Sequence, residues 1–134
     1  MTAFLLDTHA FIWWCEDSPR LAKSVREELS ANEVRVAVSA VTAWEITVKQ
    51  RLGKISFLGP LNDVRGGAVA EAVAFYQFSQ LPLTFTHAEA LKELPRHHGD
   101  PFDHMLIAQA LVEDMTLVSH DRAFRLYDVP LLRI

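Results

Sequence analysis

The sequence has one cysteine, Cys15, among 134 residues. An internal disulfide is therefore excluded, as is common in a reducing compartment. No apolar run approaches the roughly 18 residues that a membrane-spanning helix needs. The first residues also lack the basic segment and long apolar segment of a signal peptide. We therefore expect a cytoplasmic protein.

The sequence also lacks an excess of positive charge, since 13 basic and 17 acidic residues give a net charge of −4. This balance argues against a strongly basic nucleic-acid binder. If four carboxylates surround cations, however, the remaining acids equal the basic residues in number. The overall charge therefore does not exclude a polyanionic substrate.

Half of the residues are hydrophobic, which predicts one folded domain spanning 1–134. Short apolar runs alternate with segments of helical period, and this alternation is typical of a parallel sheet with helices on both faces. We expect an α/β fold, a three-layer α/β/α sandwich with a mostly parallel central sheet. The predicted strands are 3–6, 34–38, 81–83, 115–118 and 129–132.

Local signals predict where the helices begin. Ser39 is a candidate N-cap, and Asp100 is another because Pro101 suits a first helical turn. One helix is expected to begin at Pro19, and another at a capping box over 86–89. The inward stripe of the helix after Ser39 is predicted to hold Val41, Trp44, Glu45, Val48 and Leu52.

Four acidic residues have unusual positions. Asp7 and Asp121 directly follow apolar runs, at the strand ends where parallel sheets bind ligands. Glu45 lies in the second turn of its helix. Asp103 points the same way as the apolar stripe of its own helix, where a carboxylate is costly unless it is compensated. All four side chains could converge on one crevice.

Each acid also has an ordinary structural explanation. Asp7 and Asp121 could cap helices, and Asp103 could be a favourable acid in a first helical turn. Glu45 could close a capping box with Thr42. All four explanations together would require four coincidences at one edge of one sheet. Clustered carboxylates take up protons unless cations bind, and hard oxygen ligands select Mg²⁺ or Mn²⁺.

Four segments of the sequence carry a family resemblance: Leu5-Leu6-Asp7-Thr8-His9, the run from Ser39 to Ile46, the run from Gly99 to Ala110, and the run from Leu117 to Phe124. They resemble the signature segments of PIN-domain nucleases, and more narrowly those of VapC-type toxins of toxin–antitoxin pairs. The similarity covers nearly the whole chain, in the order of the family. No P-loop, GxSxG or CxxC pattern supports a rival chemistry.

The resemblance implies an endoribonuclease that depends on Mg²⁺ or Mn²⁺ and cleaves RNA by metal-activated water. Asp7, Asp103 and Asp121 would hold the principal metal ion. Glu45 would hold a second ion or help to position and deprotonate water. Thr8 and Ser119 match accessory hydroxyl positions of the family, whereas Asp100 is assigned to helix capping.

The candidates for RNA contact are basic or weakly basic side chains beside the acids: Lys49, Arg51, His104 and His120. Lys49 and Arg51 could equally belong to an ordinary solvated face, and loop or surface roles compete for the histidines. His104 stands where relatives often have arginine. The three tryptophans could stack on bases, but packing in the core or an interface explains them as well.

The resemblance also implies an antitoxin partner and a homodimer. The apolar residues Ile55, Phe57, Leu58 and Leu61 follow no regular period and look exposed. They could form a groove for the antitoxin or pack locally.

Three other functions remain open from the sequence. A housekeeping PIN nuclease of RNA processing would have the same acids. A PIN fold without activity could serve only as a binding surface, although the complete set of four acids argues against it. A receiver-type signalling module also groups acids at strand ends, but it would need two adjacent acids after the first strand, where Leu6 precedes Asp7 here.

Overall fold

A computed structural model describes residues 2–57 and 68–134. Its five strands, β1 to β5, form one sheet in the order β3-β2-β1-β4-β5, and all four neighbouring pairs are parallel. The predicted parallel α/β architecture is therefore confirmed. The strands are β1 (Thr2–Leu6), β2 (Val34–Ser39), β3 (Ser79–Leu81), β4 (Thr116–Ser119) and β5 (Leu131–Arg133).

Six α-helices lie in the described part of the chain, and short 3-10 helices occur at Leu91–Glu93 and Arg122–Leu126. No helix there is long and apolar enough to cross a membrane. The α-helices are α1 (Thr8–Cys15), α2 (Lys23–Leu29), α3 (Ala40–Arg51), α4 (Ala68–Phe75), α5 (Phe85–Ala90) and α6 (Pro101–Val112).

Two hydrophobic clusters lie on opposite faces of the sheet, as expected for three layers. Phe4 and Leu6 of β1 belong to the cluster that includes residues of α1, α2 and α4. Leu5, between them, belongs to the cluster that includes residues of α6. Side chains alternate across a strand, so burial on both faces explains why Phe4, Leu5 and Leu6 are all apolar.

Two helix starts differ from the sequence predictions. Helix α2 begins at Lys23 rather than Pro19. Helix α5 is capped by Thr84, whose hydroxyl accepts a hydrogen bond from the His87 backbone, while His87 Nδ1 accepts one from the Thr84 backbone. The imidazole thus replaces the Glu or Gln usual in a capping box, and the predicted box over 86–89 is wrong.

The burial of three apolar residues also differs from expectation. Trp44 and Leu52 were placed on the inward stripe of α3, but they are 58% and 63% exposed. Phe57 is buried against Phe11, with ring centroids 5.6 Å apart, so the expectation of an exposed docking side chain is wrong for Phe57. Ile55 packs partly buried on the same core. Leu58 and Leu61 lie outside the described residues.

Gln109 of α6 joins three elements in the interior. It is fully buried, and its Oε1 accepts a hydrogen bond from the hydroxyl of Ser39, the N-cap of α3, at 2.5 Å. Its Nε2 donates to the carbonyl of Pro82 at 3.3 Å and approaches His87 Nδ1 at 3.4 Å. The start of α3 is thus fastened to α6 through polar contacts.

We expect Gln109→Leu to lower the free energy of unfolding by about 2 kcal/mol, because it leaves the buried hydroxyl of Ser39 and the carbonyl of Pro82 without their partner. Urea denaturation measures this loss. Gln80→Leu, on the exposed surface of β3, is the control and should change stability by less than about 0.5 kcal/mol. Equal stability of the two variants would contradict the role given to Gln109.

Candidate metal centre

The four acids singled out by the sequence line one cleft of about 540 Å³. Asp7 and Asp121 follow β1 and β4, Glu45 comes from α3, and Asp103 comes from the first turn of α6. The cleft therefore lies beyond the carboxyl ends of central strands, as expected for an open α/β sheet. Its other lining residues are Thr8, His9, Trp13, Arg20, Lys49, Asp100, His120 and Arg122.

Asp7 is held from both sides although its side chain is almost completely buried. Its backbone N–H donates to Val118 at 3.0 Å, one residue beyond the ladder between β1 and β4. One carboxylate oxygen accepts from the Ala10 backbone at 2.8 Å, which caps α1, and the other accepts from the Ser119 hydroxyl at 2.6 Å. Burial nevertheless raises the pKa of Asp7, so the charged form is poorly compensated.

Ser119 connects two of the acids. Its hydroxyl donates to Asp7 and accepts from the backbone N–H of Asp121 at 3.0 Å. The exposed carboxylate of Asp121 accepts from the Ala123 backbone at 2.9 Å and caps the 3-10 helix that follows. The capping explanations for Asp7 and Asp121 are thus compatible with a place in the cleft.

Glu45 is buried in the middle of α3. One of its oxygens accepts from the Thr8 hydroxyl at 2.6 Å, and the other accepts from Lys49 Nζ at 2.5 Å. Ser39, not Thr42, caps this helix through a 2.9 Å bond from the Val41 backbone. The capping-box explanation for Glu45 therefore does not hold.

Asp103 has unfavourable surroundings for a charge. The pKa of its carboxyl is raised to about 8, first by burial and then by the negative charges of Asp100, Asp7, Asp121 and Glu45, in that order. Its nearest partner is His98, whose Nε2 lies 3.3 Å from Asp103 Oδ2. A cation in the cleft would relieve this repulsion.

Asp100 caps α6, and one of its oxygens accepts from the backbones of Phe102 and Asp103 at 2.9 and 3.2 Å. It also lines the cleft, which the sequence reasoning did not anticipate. The same carboxyl therefore fixes the helix start and adds negative charge beside Asp103.

Only two of the four predicted RNA-contact residues line the cleft in the structure. Lys49 and His120 line the cleft, whereas Arg51 and His104 do not. The ring of His104 instead lies beside Tyr127, with its Nε2 at 3.1 Å from the phenol oxygen.

Two further basic residues, Arg20 and Arg122, line the cleft. The guanidinium of Arg20 lies 5.5 Å from the centroid of the Trp13 ring. Sequence reasoning missed Arg20 because the turn that carries it has no periodic pattern. Arg122 directly follows Asp121, and its position beside a candidate acid is the signal that could have found it.

Within residues 2–57 and 68–134, no three acidic, histidine or cysteine side chains already point at a single metal position. The reason is visible in the hydrogen bonds, because each of the four acids has a polar partner in its present rotamer. The side chains nevertheless suit a hard divalent cation, since several carboxylates line the same cleft and the nearby positive charges do not balance them.

Comparison with known proteins shows which proteins this chain resembles. The PIN domain family profile matches residues 4–130. Ribonuclease VapC22 of Mycobacterium tuberculosis is 26% identical over 138 residues, covering 97% of this chain and 95% of the relative.

Two solved structures share the fold. VapBC2 from Rickettsia felis, bound to a DNA fragment from its promoter, gives a TM-score of 0.72 at 16% identity and covers 98% of both chains. VapBC-5 from Mycobacterium tuberculosis, a member of a family of toxin–antitoxin systems, gives 0.61 at 21% identity and covers 100% of both chains. Because the family profile spans nearly all of the sequence, this chain belongs to the PIN domain family.

Proposed function

We propose that this protein is a divalent-metal-dependent endoribonuclease and the toxin of a toxin–antitoxin pair. The observation that carries the proposal is one cleft lined by Asp7, Glu45, Asp103 and Asp121 in a chain of the PIN domain family. The name of the similar Ribonuclease VapC22 supports RNA as the substrate. The proposed place of action is the cytoplasm.

In this proposal Asp7, Asp103 and Asp121 hold the principal ion, which is Mg²⁺ or Mn²⁺. Glu45 holds a second ion or helps to position and deprotonate the attacking water. A bound ion of this class lowers the pKa of water and neutralises charge on a phosphate. Thr8 and Ser119 act by fixing the carboxylates of Glu45 and Asp7, to which they donate.

The proposed RNA contacts are Lys49, His120, Arg20 and Arg122, which surround the acids in the cleft. Positive groups at the edge of an acidic centre would attract the phosphates that flank the cleaved bond. The same role for Arg51 and His104 stays a prediction of the sequence, without support from the cleft.

We expect Arg20→Gln to weaken RNA binding several-fold and to reduce the slope of log K against log salt by about 0.7, because one phosphate contact on a single strand is lost. Fluorescence anisotropy with a labelled single-stranded RNA, at several salt concentrations with Ca²⁺ in place of Mg²⁺, measures both quantities. Arg35→Gln is the control, because Arg35 is exposed near the start of β2 and does not line the cleft. A larger effect from the control would contradict this assignment.

The nuclease proposal is tested by purifying the protein without a partner and incubating it with RNA. Cleavage is expected with Mg²⁺ or Mn²⁺, and its loss is expected with chelator. Cleavage that persists unchanged in excess chelator would refute the metal dependence.

The toxin proposal has a separate test in cells. Expression of the protein alone should arrest growth, and co-expression of the neighbouring antitoxin should restore it. An active nuclease that leaves growth unaffected would instead indicate a role in RNA processing.

The proposed antitoxin surface lies near Ile55, Leu58 and Leu61, and the proposed assembly is a homodimer. Light scattering of the purified protein tests the dimer.

A further inference from the structure

A chain of side chains extends from Asp103 into the protein behind the cleft. His98 Nε2 lies 3.3 Å from Asp103 Oδ2, and His98 Nδ1 lies 2.7 Å from the phenol oxygen of Tyr127. His104 Nε2 lies 3.1 Å from the same oxygen, which also accepts from the His97 backbone at 3.2 Å. Tyr127 is buried, so these contacts are not exchanged freely with water.

Counting protons leaves two possible arrangements of the hydrogen bonds at Tyr127. The phenol of Tyr127 has one proton to donate, and one of its two lone pairs is occupied by the His97 backbone N–H. Of the two imidazole nitrogens that approach it, one must therefore donate and the other must accept. If the phenol donates to His98 Nδ1, the uncharged His98 carries its proton on Nε2.

That arrangement satisfies every group. His104 Nε2–H donates to Tyr127, the phenol donates to His98 Nδ1, and His98 Nε2–H donates to the carboxylate of Asp103. In the opposite arrangement, an uncharged His98 would present a lone pair to Oδ2, which would repel the ionised carboxylate that a divalent cation requires.

We propose that His98 is a positioning residue for Asp103, held in its Nε2–H tautomer by the phenol of Tyr127. By donating to Oδ2, His98 fixes the rotamer of the carboxylate and leaves Oδ1 for a divalent cation. Hydrogen bonds of this kind to metal-binding carboxylates contribute about 10- to 100-fold to metal affinity. The proposal rests on the proposed function, because it gives Asp103 a metal-binding role.

The chain offers a matched control in the adjacent histidine. The His97 side chain is exposed, and its ring meets the edge of Tyr127 at 5.0 Å between centroids. Only its backbone N–H bonds to the phenol among the contacts described. His97→Gln should therefore leave metal affinity within about two-fold of the wild type.

The first test is a Mn²⁺ titration of the intact chain, with free Mn²⁺ followed by electron paramagnetic resonance. His98→Leu should bind Mn²⁺ about 10- to 100-fold more weakly. His98→Gln should retain most of the affinity, since its amide nitrogen reaches the position of Nε2. A merely structural role would not distinguish Gln from Leu in this way, and circular dichroism checks that each variant is folded.

The second test needs no substituted residue at 98. Long-range ¹H–¹⁵N correlation spectra of the wild type with saturating Mg²⁺, which keeps Asp103 ionised, should show His98 as the Nε2–H tautomer, and Tyr127→Phe should alter that signal. An Nδ1–H tautomer in the wild type would overturn the proposal, as would Mn²⁺ affinity in His98→Leu equal to that of the wild type. A wild-type protein that binds no Mn²⁺ would overturn the proposed function itself. If the wild type binds Mn²⁺ tightly and His98→Leu binds it with the same affinity, only this inference is overturned.

Discussion

Asp103→Asn is expected to reduce metal-dependent RNA cleavage at least 100-fold without unfolding the protein. The substitution keeps the size of the side chain but removes one negative charge from the centre of the acidic cleft. Loss of several kcal/mol of transition-state stabilisation corresponds to a rate decrease of about 100-fold or more. Cleavage of a labelled RNA under single-turnover conditions with Mg²⁺ gives the rate.

Asp128→Asn is the matched control for this experiment, because Asp128 is exposed and does not line the cleft. Its cleavage rate should equal that of the wild type within about two-fold. Undiminished cleavage by folded Asp103→Asn would remove the basis of the proposed mechanism, whatever the control does.

The same substitution is expected to stabilise the protein when no metal is present. The folded-state pKa of Asp103, raised to about 8, exceeds the usual value of 3.8. Ionisation of such an acid is disfavoured by folding, so it destabilises the fold progressively as pH rises from about 4 to about 8. Asparagine cannot ionise and avoids this loss. The difference at pH 8 is on the order of a few kcal/mol.

In thermal melts with chelator, Asp103→Asn should therefore unfold about 5 to 10 °C above the wild type at pH 8, and the difference should shrink towards pH 5. Added Mn²⁺ should raise the wild-type midpoint more than that of the variant, since only the native state offers the complete site. A variant less stable than the wild type at pH 8 without metal would show that the acids are already compensated by the protein.

The sequence was sufficient for the three central strands because these are buried on both faces. The two edge strands are less buried and were placed wrongly: the strand predicted over 81–83 is Ser79–Leu81, and that predicted over 129–132 is Leu131–Arg133. The run 3–6 is wholly apolar, the run 115–118 is apolar except for Thr116, and both stop at polar residues, which is the pattern expected of buried parallel strands. Membership of the PIN domain family also makes the receiver-type interpretation wrong. The four acids were found because each one interrupts an apolar pattern at a strand end or on a helix stripe.

Other features depend on tertiary contacts that no local pattern reports. The exposed Trp44 lies against Phe102 of another helix, with ring centroids 4.9 Å apart, although its spacing in α3 matches an inward stripe. The contacts of His98 arise because two loop segments meet, and Tyr127 lies 29 residues away in the sequence. Arg20 reaches the cleft from a turn, so its sequence neighbours give no indication of its position.

The most direct test of the metal centre is a Mn²⁺ titration of the wild-type protein and of four single variants, Asp7→Asn, Glu45→Gln, Asp103→Asn and Asp121→Asn. If the four carboxylates form one site, the wild type binds Mn²⁺, and each of the three aspartate variants binds Mn²⁺ at least about 10-fold more weakly. Glu45→Gln should either bind Mn²⁺ more weakly or bind one equivalent of Mn²⁺ fewer than the wild type. Wild-type affinity and stoichiometry in folded Asp7→Asn, Asp103→Asn or Asp121→Asn would contradict the account.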